Sequence, residues 1–133
     1  MRFMLDTNVC VDVMRGRHRS VRESLCAVHP REVCVSSVTL SELEYGACKS
    51  SDQERNRLLI AEFLSPMDVM PYDDACAPHY GRIRADLEWR GTPIGPLDTM
   101  IAAHALALGV TLVTNNEREF RRVSDLKIVN WVA

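Results

Sequence analysis

Short apolar runs that stop abruptly at polar residues recur along the chain, separated by stretches whose apolar residues fall at helical spacing. Phe3-Met4-Leu5 is the first run; it ends at Asp6-Thr7-Asn8 and predicts a buried strand. Val9 to Met14 predicts a short helix ending near Arg15-Gly16-Arg17. His18 to Val28 predicts another, with Val21, Leu25 and Val28 in register and Pro30 at its end. Glu32 to Ser36, short and β-branched, predicts a second strand. A helix over Val38 to Lys49 follows, with Leu40, Leu43 and Ala47 on one face. The next is capped at Ser51-Asp52 and runs to Leu64 through Leu58, Leu59, Ala61 and Phe63. Asp68-Val69-Met70 predicts a short strand ended by Pro71, and Asp73 or Asp74 caps a long helix to Arg90, closed by Gly91. Pro93 to Pro96 reads as a rigid loop before a strongly apolar helix from Leu97 to Leu108, with Gly109 as its stop. Val110 to Val113 predicts a strand, Glu117 to Arg121 at most a short helix, and Leu126 to Val129 a closing strand. Strands and helices in this order predict an α/β sandwich with a mainly parallel sheet, in one domain over residues 1–133.

Composition narrows the function classes more than the fold. No apolar run approaches the length that spans a bilayer, and no secretory signal opens the chain. The five cysteines are scattered without a C-x-x-C pair, which indicates neither a disulfide framework nor a zinc site. Reduced thiols in a cytoplasm are expected. A net charge of −2 argues against gripping nucleic acid by bulk charge. It leaves room for a nuclease whose acids are concentrated in one site and offset by a cation.

Three acids fall at comparable places. Asp6 ends the first strand, Glu42 lies in the first turns of the helix after the second, and Asp98 lies in the first turn of the apolar helix that feeds the fourth. Helix starts that follow strand ends share one edge of a parallel sheet, so all three can meet there. Each has a plainer alternative: Asp6 as a turn acceptor, Asp98 as an acid at the positive end of a helix dipole, Glu42 as a solvated helix residue beside Glu44. Against that stands the setting of Asp98, whose neighbours Leu97, Met100, Ile101, Ala102 and Ala103 are apolar and make an uncompensated charge costly. Oxygen-only ligands with open positions for water and phosphate suit Mg²⁺ or Mn²⁺, and the chemistry such a site performs is phosphodiester hydrolysis. Thr114-Asn115-Asn116 reaches the same edge; its residues either position a phosphate, order a ligating carboxylate, or form an ordinary turn and cap. Glu117 and Glu119 lie close enough to lend an outer oxygen, Glu119 the better placed. His104, two turns past Asp98, reads as a core histidine.

Taken together, Phe3-Met4-Leu5-Asp6-Thr7-Asn8, Ser36-Ser37-Val38-Thr39-Leu40-Ser41-Glu42-Leu43, Pro96-Leu97-Asp98-Thr99-Met100-Ile101-Ala102 and Val113-Thr114-Asn115-Asn116 resemble the four motifs of PIN-domain ribonucleases. More narrowly, the whole chain resembles the VapC toxins of bacterial type II toxin–antitoxin modules, nearest the enteric-type toxins that cleave initiator tRNA. The resemblance implies a three-layer α/β/α PIN domain with a mainly parallel four- to five-stranded sheet. It implies a Mg²⁺- or Mn²⁺-dependent endoribonuclease that cuts structured RNA such as a tRNA anticodon loop. Asp6, Glu42 and Asp98 are then the metal-holding acids, with Asn116 and Glu119 completing the catalytic set. Thr7, Asn8, Thr114, Asn115, Arg15 and Arg17 become candidates for the RNA, and Arg19, Arg22, Arg121 and Arg122 add charge nearby. A homodimer, a VapB-type antitoxin whose tail covers the active site, and operator DNA reached only through that antitoxin are the implied partners. Many PIN domains carry an acid where this chain has Asn116, so one tightly held cation is expected, with a second binding weakly or only with RNA. Tyr80, Arg82 and Arg84 are candidates for the dimer interface, and Trp89 for that interface or the core rather than for stacking on a base. The rivals are an aspartyl-nucleophile phosphatase and a non-catalytic PIN fold. The first lacks its second acid, since Asn8 stands two residues after Asp6; the second is opposed by intact Asp6, Glu42 and Asp98.

Overall fold

Met4 and Leu5 have no exposed surface and point to opposite faces of the sheet, which is what a short strand covered on both sides requires. The same alternation repeats in the neighbouring strands. Met4, Cys34 and Leu112 enter one core with Ile101, Ala102, Leu87 and Phe120, while Leu5, Val35 and Val113 enter a second with Val9, Val21, Leu43 and Ile60. Two cores separated by one sheet give three layers.

The computed structural model describes residues 1–133. The elements are β1 (Phe3–Leu5), α1 (Thr7–Met14), α2 (Arg19–Ala27), β2 (Val33–Ser36), α3 (Ser37–Cys48), α4 (Gln53–Leu64), β3 (Asp68–Met70), α5 (Ala77–Trp89), α6 (Pro96–Leu108), β4 (Thr111–Val113), α7 (Glu117–Phe120) and β5 (Ile128–Val129). The sheet has five strands in the order β3-β2-β1-β4-β5, and every pairing is parallel. The sequence expectation of a mainly parallel sheet is therefore met in a stricter form. The chain fills one side of β1 and then crosses to the other, so the strand order switches between β1 and β4. Open α/β sheets bind their ligands outside the carboxyl ends of the strands at such a point, and Asp6 stands there.

Several boundaries move, each for a local reason. α1 begins at Thr7, before Val9, because Asp6 itself caps it. Pro30–Glu32 forms a 3₁₀ turn and shortens β2 at its start. Asp73 caps a separate 3₁₀ turn over Asp74–Cys76 before α5. Gly109 ends α6 with φ of 69°, a left-handed conformation that costs a Cβ-bearing residue strain. In α4 the buried residues are Ile60 and Leu64, whereas Leu58 and Leu59 are 60% and 39% exposed. Trp89 is 90% exposed, which removes it from the core. No helix is long and apolar enough to cross a membrane.

Candidate active site

Asp6 is fixed by backbone on both sides. Its N–H donates to Val113 O at 3.0 Å across the β1–β4 pairing, and its Oδ1 accepts from Val9 N at 2.8 Å as the cap of α1. The side chain is almost wholly buried, and burial pushes its pKa up to about 6. The Thr114 hydroxyl beside it and the Val9 N–H favour the ionised form; the charges of Asp98 and Asp12 oppose it. Asp98, half-buried in the first turn of α6, is also pushed up to about 6, first by burial and then by the charges of Glu42 and Glu119. Asp6, Glu42, Asp98 and Glu119 therefore feel one another at the carboxyl edge of the sheet.

The two glutamates are held by neighbours from the motifs themselves. Thr7 donates its hydroxyl to Glu42 Oε1 at 2.6 Å, tying α1 to α3, and lies 3.2 Å from Thr39 Oγ1. Asn116 donates its side-chain amide to Glu119 Oε2 at 2.9 Å across the first turn of α7. Glu117 faces elsewhere, accepting from Arg121 and Asn130. Glu44 pairs with Arg57, away from the rim.

None of the four rim carboxylates has a Lys, Arg or His nitrogen within ion-pairing distance. Asp6 and Asp98, whose carboxyls burial and neighbouring acids push up without a protein cation beside them, are donors that a divalent ion would relieve. The acids share the rim without closing on a point: no three Asp, Glu, His or Cys side chains already form a group that would enclose an ion. Such an open, all-oxygen arrangement fits Mg²⁺ or Mn²⁺, which take one or two carboxylates and fill the remaining positions with water and phosphate.

The other sequence candidates divide. Thr114 is completely buried, so it cannot touch a substrate; its hydroxyl serves Asp6 and accepts from Asn116 N at 2.9 Å. Asn115 donates to Asp12 Oδ2 at 3.0 Å, leaving its own Oδ1 buried and unpartnered. Of the two roles the sequence offered, these contacts are those of residues that order a carboxylate, Thr114 at Asp6 and Asn115 at Asp12. Asn8 is exposed at the rim. Arg15 is exposed and lines a groove with Glu42, Val11, Met14 and Leu59. Arg17 is also exposed and stands 3.9 Å from Asp12. His104 is a core residue: its Nδ1 lies 2.8 Å from Ser36 Oγ, its ring meets Tyr72 edge-on, and burial lowers its pKa.

Asp12 is the residue that sequence reasoning missed. It is buried, faces Asn115, Arg17 and His18, and adds charge to Asp6. An acid set among Val9, Cys10, Val11, Val13 and Met14 is the same signal that singled out Asp98.

Comparison with known proteins covers the whole chain. Residues 3–126 match the PIN domain family. The chain is 49% identical over 131 residues to the tRNA(fMet)-specific endonuclease VapC of Shigella flexneri, covering 98% of each. A chain of a DNA-bound VapBC structure from Salmonella typhimurium superimposes with a TM-score of 0.93 at 45% identity, covering 98% of each chain. A chain of Rickettsia felis VapBC2, bound to a fragment of its promoter, gives the same TM-score at 38% identity, covering 98% of this chain and 99% of that one.

Proposed function

This chain belongs to the PIN-domain family, among the VapC ribonucleases of toxin–antitoxin modules, and from that membership we propose a divalent-metal-dependent endoribonuclease that cuts initiator tRNA. The observation that carries the metal is the gathering of Asp6, Glu42, Asp98 and Glu119 at the β1–β4 switch point, Asp6 and Asp98 with raised pKa and none of the four with a protein cation beside it. Asp6 and Asp98 would hold Mg²⁺ or Mn²⁺, with Glu42 reaching it directly or through water. When bound, the ion supplies charge stabilisation at the phosphate and makes a water more acidic.

The chain's own residues do the rest. The Val9 N–H and the Thr114 hydroxyl keep the Asp6 carboxylate aimed at the rim and favour its charged form. Glu42 and Glu119 each make one protein hydrogen bond, from Thr7 and Asn116, which fixes their orientation and leaves an oxygen free. That free oxygen is suited to order the attacking water and take its proton as the phosphorus–oxygen bond forms. Asn116 replaces a possible further acid and acts through Glu119, which supports one tightly held cation and a second recruited with RNA. Exposed Arg15 and Arg17 supply phosphate contacts beside the acids.

The partners follow from the same membership. Relatives are found in VapBC complexes bound to DNA. The corresponding reading here is a VapB-type antitoxin that covers the acids and carries the complex to operator DNA. The groove lined by Val11, Met14, Leu43 and Leu59, with Glu42 and Arg15 among its walls, offers an apolar tail a seat next to the site. A homodimer is part of the same reading. Purified chain, freed of antitoxin, is expected to cleave tRNA(fMet) at discrete positions with Mg²⁺ or Mn²⁺ and to stop in EDTA. Cleavage that persists in excess chelator removes the metal from the mechanism.

A further inference from the structure

Trp89 is the largest apolar side chain that the fold leaves in water, 90% exposed in the last turn of α5. Its position ties it to the acids. α5 and α6 are joined by the short Arg90–Gly95 connection, and Arg84, Leu87 and Glu88 of α5 line a shallow cleft with Pro93 and Ile94 of the connection and Pro96 and Thr99 of α6. The last turn of α5 therefore lies beside the first turn of α6, which carries Asp98. Arg90 donates to Arg122 O and Arg122 donates to Pro93 O, so this hairpin is also fastened to the segment after α7. Trp89 stands at the catalytic end of the molecule.

The acids that flank Trp89 along α5 are taken up by arginines. Asp86, Glu88 and Glu117 are each taken up in ion pairs with Arg90, Arg84 and Arg121. Arg82, Arg118 and Arg122 have no carboxylate partner. Arg82 lies seven residues before Trp89 on the same stripe of α5, with Ala85 between. That spacing is about 10 Å along a helix. An exposed aromatic ring with an unpaired arginine on its own helix stripe is chemistry that binds unpaired nucleotides: the ring stacks on a base while guanidinium groups take the phosphates. A second copy of the chain is a poorer occupant, because Asp86, Glu88 and Arg90 flank Trp89 along the chain where an interface core would be apolar.

Resting on the ribonuclease reading above, we propose that Trp89 is a stacking platform for an unpaired base of the RNA held at the acid site. Arg82 and Arg122 would receive the flanking phosphates.

The test uses the full chain carrying Asp98→Asn, so that tRNA(fMet) transcript is bound without being cut. Adding Trp89→Ala is expected to weaken binding by about 5- to 150-fold, the range for loss of one base–aromatic stack. Trp89→Phe is expected to retain most of the affinity. In a Trp131→Phe background, the fluorescence of Trp89 should be quenched as tRNA binds. Unchanged affinity in Trp89→Ala, beside a wild type that cleaves tRNA, overturns the stacking role and leaves the ribonuclease reading standing. A lower sedimentation mass for Trp89→Ala also overturns it, by making the ring an anchor between copies. A wild type that neither binds nor cleaves tRNA removes both readings together.

Discussion

Asp6 shows what the site costs the apo chain. Its pKa is pushed from 3.8 to about 6, chiefly by burial, so the folded state holds a proton that the unfolded chain has already released. Between those values the folded state binds more protons, and stability falls as pH rises from about 4 to about 6. Two pH units correspond to about 3 kcal/mol. Asp6→Asn keeps the cap acceptor for Val9 and removes the charge. Without divalent ions it is expected to unfold at higher denaturant than wild type at pH 7.5, by up to about 3 kcal/mol, with the gap narrowing to about 1 kcal/mol at pH 4.5. The opposite order at pH 7.5 would show that Asp6 is already compensated. Asp98→Asn should abolish cleavage while the protein stays folded, read by cleavage gels beside circular dichroism; wild-type cleavage by this variant would displace Asp98 from the site.

Among the elements, the links between motifs matter as much as the acids. Thr7 joins α1 to α3 through Glu42, and Thr7→Val removes that hydrogen bond without changing side-chain shape. Loss of such a support commonly lowers metal affinity or activity by about 10- to 100-fold. The prediction is a fall of that size in cleavage rate, with the melting temperature little changed. For α6, Ile101 has no exposed surface, and Ile101→Ala should cost about 2–5 kcal/mol in chemical denaturation. The order of elements and the three acids were legible in the sequence because a strand buried on both faces reads as an apolar run that a polar residue ends. The register of α4 was not. Leu58, Leu59, Ile60, Phe63 and Leu64 spread apolar surface around the helix, and only contact with α1 and α3 selects Ile60 and Leu64. The partners of Thr114 and Asn115 were equally hidden, since Asp6 and Asp12 are both distant in sequence.

At the scale of the molecule, recognition of a polyanion by a chain of net charge −2 requires its cations to be placed rather than numerous. Arg15 and Arg17 lie on the turn that Asp12 secures beside the rim. Replacing both with alanine should weaken RNA binding and flatten its salt dependence by roughly one to two units of slope, measured by anisotropy across a salt series. An unchanged slope would return these arginines to ordinary surface solvation. The wholly parallel sheet explains why distant motifs meet: each strand delivers its last residue, and each following helix its first turn, to one edge. What that edge holds can be measured without any RNA. Calorimetric titration of Mn²⁺ into the antitoxin-free chain at pH 7.5 should saturate at one tightly bound ion and lose that binding in Asp98→Asn. No binding to wild type, or equal binding to the variant, would contradict a metal site built on these acids.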